Sequence, residues 1–598
     1  MASFAQWIDG FFIWFSIGVA AMKRQQQSNI TVRQAKLTRR LSDTDSKAGT
    51  KTGDGEIFEF DIDEDALCGG SASRQSKSSR KWYRCGPTNL EETMLSNHDA
   101  AIRLVQVADA GMKEKLVEWV KLDIVATSSF TGTGVAEAAY FQAKHDLASA
   151  LGIEPGKFLV YSGCDHAMES QHAMMNHGKA TSPKHVFPEF LDRLHPMDLK
   201  KNQEYLEENL SVVRANKEEY LLGAMTKQQL NSNQAALSAR TLETSSKNLG
   251  RVEFRTTSWC SVHKRECPIS PRQEYPGWHW WESAGTVCCP FSTMADSTPS
   301  WCHPSSLGTL SWAFSMRYFE PDDIDHECVR NFPEEVFNGI FAETDGILKS
   351  PFLPPSSPYV GYTMRTKVFS PTDLGIPSMR HRKYSRWKLG NEQVPSISFE
   401  DLLFRSLDAS PDIYFVANAH ARCAEWEEFH GDQKSKPVVA SNASNMLTDI
   451  SHLSTAALNK LEGYDTLAKK LGLHNPDAAP GSEWSESCVI VNLKQTAEHV
   501  KFVHWDAMPT LLRHSLLFDL VRRNTLTVAE AWLVQGFPHP DVHSLADFAA
   551  DSFPFIGPMQ SADGESNSQR LPIRRQLSLI GNSMHRAAVG HWILYNIL

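Results

Sequence analysis

The sequence predicts an α/β fold built on a mostly parallel sheet. Three observations carry this. Strand-like and helix-like segments alternate from residue 123 to about 190 and again from about 280 to 345, the pattern of a sheet covered by helices. The first strand runs straight into a glycine turn, "TGTG", as the first strand of such a sheet does where a ligand approaches the backbone. And 598 residues, 41% hydrophobic and 22% charged, are enough for a large buried core with room for further units.

From the N-terminus, "FFIWFSIGVAAM" (11–22) is apolar but short for a bilayer span, and Asp9 interrupts any upstream extension. It lacks the basic start of a signal peptide, although Lys23 and Arg24 follow it. A local amphipathic helix or a poorly ordered start is expected there, with a membrane anchor or targeting sequence as the alternative. Residues 23–80 are polar and poor in large apolar side chains, so they read as a disordered linker and close a first segment, 1–80.

The catalytic unit is expected over 81–388. "AAIRLVQVADAGMKEKLVEWVKL" has apolar positions at helical spacing, and "DIVATSSF" (123–130) reads as a buried strand. "KFLVYSGCD" (157–165) is a second strand, followed by a helix-like "HAMESQHAMMNH". From about 198 to 248 the chain is polar and helix-prone and reads as an insertion. Residues 389–505 have weaker periodicity and form a separate module, and 506–598 return to compact apolar segments.

Net charge is −10, so any nucleic-acid contact needs a local basic face. Eleven cysteines without paired CxxC spacing argue for reduced thiols. Cys260, His263 and Cys267 lie close together, but three ligands do not close a zinc site, and no metal is expected.

Single motifs are ambiguous. "FTGTGVAE" (130–137) is equally a tight strand-to-helix turn, and "CCPFS" (288–292) equally a pair of packed thiols. Their order is more telling: FTGTG, CCPFS, "HECV" (326–329), "LGIPSMRHRKY" (374–384), "RNTLTVAEAWLVQGFPHP" (523–540), "LIGNSMH" (579–585), with "AMPTLLRHSLLFDL" (507–520) before the last two. In this order and over about 120–388 and 506–598 the chain resembles the cytosine-C5 DNA methyltransferase family. The R-x-x-L-x-x-x-E…Q-G-F-P and I-G-N-S matches are the most specific.

The resemblance implies a Rossmann-like, S-adenosylmethionine-dependent methyltransferase domain plus a small target-recognition domain, the latter at 389–505. It implies Cys288 as nucleophile, four residues before Ser292, with Cys289 in the usual glutamine position and Val287 in the usual proline position. Glu327 is implied as the acid at the base N3, with Cys328 where the family has asparagine. Arg380 and Arg382 match Q-x-R-x-R, with Ser378 replacing the glutamine, and the run to Lys388 is expected to supply the basic face. The cofactor, S-adenosyl-L-methionine, is expected against Phe130, Gly132 and Gly134, closed by Asn582 and Ser583. Cys164 takes the place of the ribose-gripping glutamate, so Asp165 is expected to serve, and Glu189, after Pro188, is expected to face adenine. Gln535, Gly536, Phe537 and Pro538 are expected to shape the fold. The implied activity is methylation of DNA by a nuclear monomer. RNA as substrate, a catalytically inactive nucleic-acid-binding relative, and a cytoplasmic or membrane-tethered location are the alternatives.

Overall fold

The computed structural model describes residues 84–177, 180–291, 300–342, 348, 359–390, 395–417, 422, 425, 453–473, 488–495, 503–513, 515–537 and 573–598. The N-terminal apolar run, the linker to residue 80, Ser292, Pro538, the side chain of Cys289 and much of 389–505 lie outside these residues.

The chain enters through helices α1 (Leu90–Met94), α2 (Ser96–Val107) and α3 (Ala110–Lys121). Asp109 starts α3 by accepting a hydrogen bond from the Met112 amide, and Asn89 caps α1 in the same way. Strand β1 (Ile124–Ser129) follows, all six residues buried, as a strand covered on both faces must be. Then come α4 (Val135–Leu151), β2 (Phe158–Cys164), α5 (Met168–Met175) and β3 (His185–Phe187). Two long helices, α6 (Pro196–Leu221) and α7 (Lys227–Leu249), span the polar 198–248 stretch, and a Thr226–Gln229 capping box opens the second. A hairpin of β4 (Thr257–Cys260) and β5 (Arg265–Pro268) leads to β6 (His279–Ala284), α8 (Ser306–Phe319), β7 (Asp323–Val329) and α9 (Glu334–Ala342). The sheet is completed by β8 (Tyr362–Phe369) and β9 (Arg382–Leu389).

The seven strands lie in the order β3-β2-β1-β6-β7-β9-β8. The first five are parallel, and β9 is antiparallel to both β7 and β8. Strand order reverses between β1 and β6, and a crevice opens outside the carboxyl ends of the strands at such a reversal. Helices cover both faces. Trp281 points into the core under α2, α3, α4 and the C-terminal helices, while its neighbour Trp280 points into the core under α8. Successive strand residues face opposite ways, so one Trp-Trp pair anchors both layers.

Beyond the sheet lie α10 (Phe399–Leu403) and α11 (Thr455–Lys470), then β10 (Ile490–Asn492), β11 (Val503–His504), β12 (Leu517–Asp519) and β13 (Asn524–Thr525). These four strands form an antiparallel sheet, β11-β10-β12-β13, with one side packed on α11. Two of its strands come from beyond residue 505, so this second sheet does not stop at the boundary read from the sequence. Helices α12 (Val528–Val534), α13 (Ile573–Asn582) and α14 (Arg586–Tyr595) return to the first core. Glu530 fixes the start of α12: its carboxylate accepts from the Thr527 amide and is paired, fully buried, with Arg422 at 2.6 Å.

Candidate active site

The carboxyl ends of β1, β6 and β7 and the amino end of antiparallel β9 form one row, because Ser129 pairs with Ala284, Ala284 with His326, and Val329 with Arg382. After β6 comes Gly285. A Cβ there would lie 2.8 Å from Met584 Cε, 3.4 Å from the Phe130 carbonyl and 4.0 Å from Glu327 Oε2, so four separate motifs meet around this glycine. Cys288 follows, half-buried and in no disulfide. Its carbonyl accepts from the Phe291 amide at 2.9 Å, and the Phe291 ring is held edge-on between Trp301 and Phe332.

Glu327 is 8% exposed and faces both expected arginines: Arg382 Nε lies 3.0 Å and Arg380 Nε 3.7 Å from the same Oε1. Arg380 is 4% exposed, and burial, then the like charge of Arg382, push its guanidinium down to about 10. The charges of Glu327 and Cys288 act on it in the opposite sense. Among the described residues, Arg380 Nη1 is buried with no hydrogen-bond partner. The arginine segment is itself locked from behind: Met379 N donates to Met508 O, Met508 N to Pro377 O, and Thr510 Oγ1 to Met379 O, which gives the "AMPT" segment its role.

The basic run expected from Arg380 to Lys388 is partly drawn inward. Strand β9 lies inside the sheet, so its cations are drawn into pairs with the sheet's own acids and carbonyls. Arg386 is 2% exposed and bound to Asp323 at 2.7 Å, and Lys383 donates to the Phe332 carbonyl. Of the run, only Arg380 and Arg382 belong to the site.

On the other side of the switch point, Phe130, Gly132 and Gly134 all have positive φ, at 54°, 60° and 75°. The Phe130 ring stacks on Phe190 at 5.3 Å. Nothing but the Asn582 carbonyl, at 3.8 Å, lies near the position of a Gly132 Cβ. Gly134 is different: a Cβ there would run into the His177 ring, whose Nε2 is 2.6 Å from Thr133 O. A side chain at Gly134 is therefore excluded by packing against His177 as well as by its positive φ. Asp165 Oδ2 accepts from the Gly132 amide and Oδ1 from the Ala167 amide, both at 2.9 Å, and burial raises its carboxyl above the usual range. Cys164 points into the core, its thiol raised by burial, so the acid at this strand end is Asp165. Glu189 begins the turn Phe190–Arg193 by accepting from the Leu191 amide. Ser583 Oγ is 2.9 Å from Thr133 Oγ1, whereas Asn582 is exposed at the rim. Gln535 holds this junction: its side chain donates to Ile580 O and its carbonyl accepts from Arg586 N.

S-adenosylmethionine carries a positive sulfonium and a ribose diol. A glycine with open space over its Cα, beside a carboxylate at the end of the neighbouring strand, suits both, so the residues present fit the group.

Several groups escaped the sequence reading. His326 bridges Thr286 Oγ1 (2.7 Å) and Glu334 Oε1 (2.9 Å), bracing the segment that carries Cys288. Glu137 accepts from Ser128 Oγ under the glycine turn, and burial pushes its carboxyl up to about 7. Glu282 accepts from Ser129 Oγ and Trp312 Nε1. All three lie inside motifs or strands; Glu282 and His326 have partners 153 and 40 residues away, at Ser129 and Thr286. Cys260, His263 and Cys267, three donors by spacing, are joined by a fourth, His185 of β3, which corrects the count on which no metal was expected.

No protein-family profile and no curated protein matches this chain. Among solved structures it is similar to the Entamoeba histolytica methyltransferase EhMeth, with 14% identity, 79% of this chain and 97% of that chain covered, and a TM-score of 0.31. It is similar also to the S. pombe Dnmt2 methyltransferase, at 13% identity, 79% and 97% coverage, and a TM-score of 0.32. Spodoptera frugiperda DNMT2 gives 9% identity, 79% and 100% coverage, and a TM-score of 0.33. At such TM-scores these likenesses carry no weight beside the strand order and the placement of the motifs on it. Those motifs, set around the switch point of a doubly wound sheet, are the ones on which the sequence resembles the cytosine-C5 methyltransferase family.

Proposed function

We propose that this chain is an S-adenosylmethionine-dependent DNA (cytosine-5)-methyltransferase. The observation that supports the reading is that Glu327, Arg380 and Arg382 meet at the ends of β7 and β9, beside the end of β6 after which Cys288 follows, and across the switch point from the Gly132 turn.

Cytosine C5 is a weak nucleophile and gains carbanion character only when a thiolate adds to C6. Cys288 Sγ forms that bond. The nearby Arg380 guanidinium is of the sign that favours a thiolate. Glu327 holds the proton at N3 while charge builds on the ring, and Arg382 fixes the carboxylate. The asparagine of the family motif is replaced by Cys328, which points into the core, so in this chain two arginines take over the orienting of Glu327. When bound, S-adenosylmethionine supplies an electrophilic methyl group, with Gly132, Asp165 and Ser583 positioned to hold its polar ends. Loss of the C5 proton to a base then lets the Cys288–C6 bond break and restores the aromatic ring. The target base must leave its stack, at a cost of about a few kcal/mol. The sheet β10–β13 with α11 is the unit we assign to recognition of the target.

Covalent trapping tests this. The folded chain is incubated with S-adenosylmethionine and 5-fluorocytosine-containing DNA or RNA, and the adduct is peptide-mapped. Fluorine at C5 cannot leave as a cation, so the adduct persists. A DNA adduct at Cys288 is expected. Cys288→Ser should abolish it, with turnover reduced by more than about 10³-fold, while Cys289→Ser retains both. Trapping of RNA alone removes the DNA assignment, and no adduct on either polymer removes the activity.

A further inference from the structure

We propose that His185, Cys260, His263 and Cys267 bind one structural zinc ion that fastens the β4–β5 hairpin to edge strand β3. Their ligand atoms all lie within 4.8 Å of one another. Cys260 Sγ is 3.4 Å from His263 Nδ1 and 3.8 Å from His185 Nδ1, and Cys267 Sγ is 3.6 Å from His263 Nδ1. Tetrahedral zinc, with Zn–S near 2.3 Å and Zn–N near 2.0–2.1 Å, sets sulfur–nitrogen edges of about 3.5 Å, and the three separations bracket that value.

The donor set is selective. Two thiolates and two imidazoles, with no carboxylate, suit zinc and not magnesium or calcium. Four protein ligands close the sphere, which marks a structural site. A second observation points the same way. His185 is 3% exposed, and among the described residues its Nδ1 has no partner but the Cys260 thiol, at 3.8 Å. Around it are the Cys260 thiol, the His263 ring at 4.8 Å, and the rings of Tyr161 and Phe187. A buried imidazole with only such neighbours is costly unless a ligand engages it.

The local fold shows what a metal would do. The hairpin has four residues in each strand, too few to be stable alone. Its turn carries Lys264 at φ 54° and is joined to β3 by the Ser261 amide, which donates to Val186 O at 2.7 Å. His185 and Cys260 are 75 residues apart, so one ion closes a long loop and covers a sheet edge at once. From the hairpin, Ser261 Oγ donates to Gln171 Oε1, and Gln171 Nε2 to the Asp165 carbonyl, so the metal also braces the strand end that carries Asp165. On binding, each thiol gives up its proton and the imidazoles coordinate as neutral rings.

The full chain, purified reduced and without chelator, should contain about one zinc per molecule, and cobalt substitution should give the visible bands of a tetrahedral thiolate site. Because His263 is exposed, His263→Ala opens no cavity, and it should lower zinc affinity by at least about tenfold, whereas Cys85→Ser, at an exposed thiol elsewhere, retains full metal. Folded, reduced protein with less than about a tenth of a zinc per chain and no cobalt spectrum overturns the proposal. So does a Cys260–Cys267 disulfide found by peptide mapping. Neither readout depends on methyl transfer.

Discussion

At the ends of β6, β7 and β9 side chains face side chains: Glu327 meets two guanidiniums, and Arg380 keeps a donor in reserve. At the ends of β1 and β2 side chains face backbone: Asp165 binds two amides, His177 sits on the Thr133 carbonyl, and the turn is set by positive φ. The first region depends on residue identity, since charge cannot be supplied by anything else there. The second depends on conformation, with Asp165, not the buried Cys164, accepting from the amides at this strand end. Departures from the family pattern therefore matter differently on the two sides of the switch point.

Arg382→Ala should make the sharpest cut between them. We expect turnover to fall about 10²–10³-fold with cofactor affinity within about twofold, read by single-turnover kinetics and calorimetry. Equal losses in both would merge the two regions into one. The glycines divide the cofactor side in turn. Gly134→Ala combines strained φ with a clash against His177 and should cost about 2–4 kcal/mol in denaturant unfolding. Gly132→Ala, with open space at its Cβ, should cost only about 1 kcal/mol while weakening cofactor binding about tenfold or more. The smallest effect is a pH dependence beneath the turn. The carboxyl of Glu137 is raised from 4.5 to about 7 in the folded chain, so the native state holds a proton that the unfolded state has released. Its contribution to stability is present below about pH 4.5 and is lost as pH rises to about 7, by on the order of 1–3 kcal/mol. Glu137→Gln should flatten that slope, matching the parent chain in thermal unfolding at pH 4.5 and exceeding it at pH 8.

Much of the sheet was legible because buried parallel strands are continuous apolar runs: "DIVATSSF" and "KFLVYSGCD" contain β1 and β2. The motif order pointed to candidate residues because the first motifs follow or end parallel strands, which end on one side, and the arginine motif opens antiparallel β9 on that same side. The fate of the basic run was not legible. Arg386 reads as a surface cation until β9 is placed beside β7, where Asp323 faces it.

The sequence by itself determined the strand pattern, the order of the motifs and the identity of the groups that can do chemistry. Only the tertiary structure decided which of those groups meet. It put His177 against Gly134, took Arg386 out of solvent, and brought His185 to a cluster 75 residues along the chain. Spacing along a chain records local neighbours, whereas pairing across a sheet sets contacts between residues whose separation in sequence is unconstrained.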